Sequence, residues 1–183
     1  MSTDAQPLLS ILKHYHQWLE HLLLCQQEAL IEQRFELANQ ILSHHQALLF
    51  AHIQLENSLL LPLHEKVSKP RWASSLYQLE HDKILTLLSR AQEKLFAAQQ
   101  DSKRSQRRLA IELLDYQRTL KGVLDHHEQR EEQGLIPELL SIISPAEENV
   151  LAKQLETQWQ RDFSARERTL EPLLAQLGLH FRS

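Results

Sequence analysis

Two stretches decide how this 183-residue chain folds: HIQLENSLLLP at residues 52–62 and HEQREEQGLIP at residues 127–137. In each, a histidine is followed four residues later by a glutamate (His52 and Glu56, His127 and Glu131) and ten residues later by a proline (Pro62, Pro137). On a helix, four-residue spacing stacks the histidine and the glutamate on one face, a turn apart. That face is the apolar one. Leu48, Leu55, Leu59 and Leu63 share it with His52, and Leu113, Leu120 and Leu124 lead up to His127. Both pairs are therefore expected to point into a core.

The preceding segments repeat as well. His16-x-x-Leu19-x-x-Leu22-Leu23 parallels His81-x-x-Ile84-x-x-Leu87-Leu88. Each half of the chain then reads as a helical hairpin, with one histidine on its first helix and His-x-x-x-Glu on its second. Apolar positions recurring at three and four residues predict helices over about 7–31, 35–66, 71–99 and 103–143. The breaks fall at Ser68-Lys69-Pro70 and at Asp101-Ser102. Pro7 suits a first helical turn behind an Asp4 cap, and Asp101 is expected to cap the fourth helix. Ser144-Pro145-Ala146-Glu147 is a capping box with proline at the first helical position, so a fifth helix starts there. Its stripe is Leu151, Leu155, Trp159, Phe163 and Leu170, and Pro172 should end or kink it. The expected architecture is all-α: an antiparallel up-down-up-down four-helix bundle over residues 1–143, with a C-terminal helical extension over 144–183 packed on it.

Composition agrees. Gly 3 and Pro 6 are too few for sandwiches, barrels or turn-rich α/β folds, while 42% apolar residues can fill a core. The lone Cys25 excludes an internal disulfide framework and any cysteine-based zinc or iron–sulfur site. Lys+Arg 20 against Asp+Glu 24 gives a net charge of -4, which argues against nucleic acid as a partner. The basic run Lys103, Arg104, Arg107, Arg108 reads as a solvated helix start. No apolar run is long enough to span a bilayer, and Met1–Pro7 lacks the basic start and cleavage site of a signal peptide, so a cytoplasmic protein is expected.

The inward polar residues need an explanation. Unpaired buried carboxylates cost several kcal/mol each, and no Lys or Arg recurs on these stripes to compensate Glu56 and Glu131. A metal would. Measured from turns near residues 33, 68 and 102, the four histidines lie at matching heights to within about a turn at 1.5 Å per residue. The expected ligand set is therefore His16, His52, Glu56, His81, His127 and Glu131. Six ligands exceed the four of a structural zinc site. Carboxylates mixed with imidazoles suit iron or manganese, and two carboxylates can bridge two ions.

These residues resemble the hemerythrin-like family, the His-His-Glu cation-binding domain. The likeness covers about residues 8–142. It rests on His16, on His52 and Glu56 running into Leu61-Pro62, on the Glu80-His81 pair, and on His127 and Glu131 running into Ile136-Pro137. The resemblance implies two iron ions in a non-haem, oxo- or hydroxo-bridged centre, open to manganese or zinc substitution. It also implies that Glu56 and Glu131 bridge while the histidines ligate terminally. One departure is informative. Oxygen-carrying hemerythrins have a further histidine four residues after that of the third helix; here that position is Leu85. The missing ligand leaves an open or water-filled position. It points away from oxygen storage and toward sensing or reacting with oxygen, peroxide or nitric oxide, or toward iron handling.

Other residues have plainer readings. His14 and His21 share a face with Ile11, Trp18 and Cys25 that is expected to pack under the fifth helix or a partner. His126 should be peripheral. His45 is expected to be a hydrogen-bonded core histidine. Tyr77, a turn before His81, lies on the metal face. Gly134 stands where the first repeat has Leu59, and it either leaves room for small molecules to reach the metal or marks a tolerated kink. Two rival functions remain at the level of sequence: an interaction module whose metal is structural, and a ferroxidase- or peroxidase-type enzyme. The expected partners are a small diatomic or peroxide ligand and a second copy of the chain, without membrane or nucleic acid.

Overall fold

The computed structural model describes residues 7–179, and they are all-α. The expected Asp4 cap lies outside the described residues. Helix α1 spans Pro7–Ile31. Helix α2 runs over Phe35–Leu55, widens into a π-turn over Glu56–Leu60, and resumes over Leu61–His64. Helix α3 spans Ser74–Gln100. Helix α4 repeats the form of α2: Gln106–Arg130, a π-turn over Glu131–Leu135, then Ile136–Leu140. Helix α5 spans Pro145–Ala175. Contacts link α1 to α2, α2 to α3, α3 to α4 and α4 back to α1, while α5 lies against α1 and α2. Leucine dominates the core so enclosed, from Leu8 to Leu174.

The two π-turns are the main departure from regular expectation, and the prolines explain them. In an α-helix, Pro62 and Pro137 would each lack a donor and press their rings on the carbonyls of Ser58 and Gln133. Instead the preceding residue bonds five back: the Leu61 N–H reaches the Glu56 carbonyl, and the Ile136 N–H that of Glu131. Each π-turn begins at the glutamate of a His-x-x-x-Glu pair, and such bulges are frequent at functional sites.

Boundaries shift for local reasons. Helix α3 starts three residues later than expected, because the Arg71 N–H is held by the Glu138 carboxylate at 2.7 Å, outside any helix. Asp101 does not cap α4. Its carboxylate accepts the N–H groups of Lys103 and Arg104 and holds a separate turn, and Ser105 is the N-cap. The capping box at Ser144 forms as read, with the Glu147 N–H donating to Ser144 Oγ and the Ser144 N–H to Glu147 Oε2. Helix α5 runs through Pro172 to Ala175. Pro172 and Arg168 are both exposed, so water can satisfy the carbonyl that the proline leaves free. The α1 face bearing His14 and Trp18 does meet α5: the Trp18 and Phe163 rings lie 5.0 Å apart. His126 is exposed.

Candidate metal centre

All six side chains singled out in the sequence are buried, none more than 3% exposed. They form two groups that share both glutamates: His16, His52, Glu56 and Glu131, and Glu56, His81, His127 and Glu131. Within each group the potential ligand atoms all lie within 4.8 Å of one another.

Each carboxylate divides its oxygens between the groups. Glu56 Oε1 lies 3.0 Å from His52 Nε2, and Glu56 Oε2 3.2 Å from His81 Nε2. Glu131 Oε2 lies 3.2 Å from His16 Nε2, and Glu131 Oε1 3.1 Å from His127 Nε2. Within the second group the Nε2 atoms of His81 and His127 lie 3.1 Å apart.

These approaches are short, yet all four carboxylate oxygens and His16 Nε2 lack a hydrogen bond of acceptable geometry. The atoms are close to one another without being aimed at one another. Two ligand atoms at about 2.1 Å from a shared ion and at right angles to each other are about 3.0 Å apart. The observed spacings of 3.0–3.2 Å match that edge. Orphaned buried acceptors, imidazole and carboxylate donors, and this spacing together fit a metal.

The outer ring nitrogens are held in turn. His16 Nδ1 lies 3.2 Å from Glu132 Oε1, His81 Nδ1 2.9 Å from Asn57 Oδ1, and His127 Nδ1 3.2 Å from Glu80 Oε2. Such contacts fix the ring tautomer and raise ligand basicity. Glu132 is paired with Lys13 at 3.4 Å, and Glu80 with Arg130. The pattern follows the repeat. The residue after each glutamate, Asn57 or Glu132, reaches across to the lone histidine of the other hairpin. In the sequence Glu80 stands out only within the Glu80-His81 pair, and Asn57 and Glu132 belong to no motif of their own. Their signal was their place beside each glutamate, roughly 100° around the helix and so turned toward a neighbouring rod.

Charge balance in the metal-free site is carried by protons. Burial pushes the His16 imidazolium down, but the nearby Glu131 carboxylate and its contact with Glu132 prevail and hold it at about 10. His127 rises to about 9, where the charge of Glu131 overcomes burial. Burial and mutual repulsion push Glu56 up, but His52 and His81 outweigh them and hold it below the usual range; burial likewise opposes Glu131, which His127 and His16 hold well below it.

Tyr77 is fully buried with its ring 6.4 Å from that of His127, at the wall of the site. Gly134 neither opens a passage nor merely tolerates a kink. It lies in the second π-turn, and the Trp72 indole packs where a side chain would start, 2.6 Å from an added Cβ. His45 is buried as expected, but it is not hydrogen-bonded: both ring nitrogens lack partners.

No protein-family model, curated protein or solved structure matches the chain. The buried His/Glu clusters could hold a metal ion by their geometry. Among the described residues, no helix is long and apolar enough to cross a membrane.

Proposed function

We propose that this chain is a hemerythrin-like di-iron protein that senses or reacts with oxygen, peroxide or nitric oxide. On this proposal α1–α4 make an antiparallel up-down-up-down bundle, with α5 an extension packed on it. The observation that carries it is the sharing of Glu56 and Glu131 between two four-residue groups, each carboxylate presenting one oxygen to either side. Bound iron would supply redox chemistry and coordination positions for a small ligand.

The chain's own residues set the terms. Glu56 and Glu131 supply the negative charge that makes two cations stable in an apolar interior. Glu132, Asn57 and Glu80 fix the rings of His16, His81 and His127. Four protein donors per group leave positions for an exogenous ligand, and iron and manganese accept more than four. Leu85, half-buried against the core, stands where oxygen carriers have another histidine, which favours reactivity or sensing over storage.

The test is metal analysis of protein purified without oxygen and reconstituted with ferrous ion under reducing conditions. Two irons per chain, with a near-ultraviolet oxo-bridge absorption after exposure to air, are expected. Absence of both overturns the proposal.

A further inference from the structure

A second polar feature lies below the metal centre. Between α1 and α4 a surface groove of about 380 Å³ is lined by Glu20, Leu23, Gln27 and Lys121, among others. Glu20, Leu23 and Lys121 also line a small inner cavity of about 10 Å³, which continues inward to Leu124, Glu128 and His45. That volume is room for about one water molecule. His45 forms the inner wall, 1% exposed and with both ring nitrogens unpartnered. It lies seven residues from His52, about 10 Å along the helix.

Lys121 closes the mouth. Its ammonium lies 3.2 Å from Glu20 and 3.8 Å from Asp125, and it also feels the charge of Glu128 further in. Glu128 is the link: it lines the inner cavity together with His45 and adjoins the ligand His127 in the chain. Glu20 and Asp125 together outweigh the one ammonium, so the mouth is net negative and attracts a cation. The ammonium stands where an arriving cation would be held. The imidazole beyond it is a donor without a structural task.

From this we infer that the groove between α1 and α4 is the inlet for the metal ions: Glu20 and Asp125 collect the cation, Lys121 is a displaceable latch, and Glu128 and His45 hand it inward to the site. This rests on the dinuclear reading above. Neither His45 nor Glu128 belongs to the ligand groups, so they govern how fast the site fills rather than what it holds.

The experiment mixes metal-free full-length protein with ferrous ion under anaerobic conditions and measures bound iron after rapid desalting at successive times. His45→Leu and Glu128→Gln are each expected to slow uptake by about tenfold, since the cation then crosses an apolar gap without a donor. Both should still reach the native iron content. Lys121→Met, at a half-buried position on the rim of the groove, is expected to speed uptake severalfold at low salt and less at high salt, because a repelling charge is removed from the mouth. Native-rate filling by all three variants overturns the inlet while leaving the dinuclear site intact. A native chain that binds no iron overturns both.

Discussion

At the scale of single residues, Glu56 and Glu131 differ in kind from the histidines. Each carboxylate touches both groups, whereas each histidine serves one. Glu131→Gln should therefore lower iron content below one ion per chain, while His16→Ala should leave the His81/His127 group able to retain an ion. Metal analysis of the two variants separates a shared from a single-sided ligand. The histidines carry a second consequence. With His16 held at about 10 and His127 at about 9, both are protonated in the metal-free site at pH 8. A ligating imidazole must be neutral. Metal binding at pH 8 should thus release about two protons, readable with an indicator dye in weak buffer. The sign of the stability effect follows. Both pKa values are raised above the ordinary 6.5, so the stabilisation from these protons is complete below about pH 6.5 and fades as pH rises through 9 and 10. The Tm of the metal-free protein should fall over that interval, and the metal-loaded protein should not follow it.

At the scale of elements, the second π-turn and the segment between α2 and α3 form one unit. Glu138 binds the Arg71 N–H at 2.7 Å and His64 Nε2 at 2.7 Å, and so straps the segment down. Arg71 and Arg130 lie 4.3 Å and 5.8 Å from the Trp72 ring, which seats on Gly134. Gly134→Ala forces its Cβ onto an indole held in place, which should cost about 1–3 kcal/mol in urea unfolding. In a Trp72→Ala background the same substitution should cost far less, and the double-mutant cycle reads the difference. This unit also shows where sequence reading stops. The stripes and the matched His-x-x-x-Glu pairs were legible because a fixed 3.6-residue period turns spacing directly into facing. The glycine was noticed, but its neighbour was not. Trp72 reaches Gly134 from 62 residues away in sequence, through a segment with no period. The π-turns hid for a different reason. A regular period assumes α-helical bonding throughout, and only the proline six residues after each glutamate marked the exception. His45 looked like any inward polar residue, because a missing hydrogen bond leaves no trace in spacing.

At the scale of the whole molecule, the centre sits within a core that does not depend on it for volume. Leucine layers run from Leu8 and Leu12 through Leu48, Leu88 and Leu120 to Leu170 and Leu174, all essentially without exposure. Their burial, at about 25 cal/mol per Å² of apolar surface, acts whether or not the site is filled. The one element that an empty site places at risk is the pair of buried carboxylates, and protons on His16 and His127 answer that charge near neutral pH. Chelation should therefore leave the helix signal at 25 °C unchanged. It should lower Tm, because a ligand that binds only the folded state stabilises it by about 2.7 kcal/mol when present at a hundred times its Kd. In a chain of this length that is roughly 5–10 °C for each ion. Circular dichroism melts with and without chelator at pH 7 check both parts. Loss of helix on chelation at 25 °C would mean that the carboxylates, rather than the leucines, decide whether this chain folds.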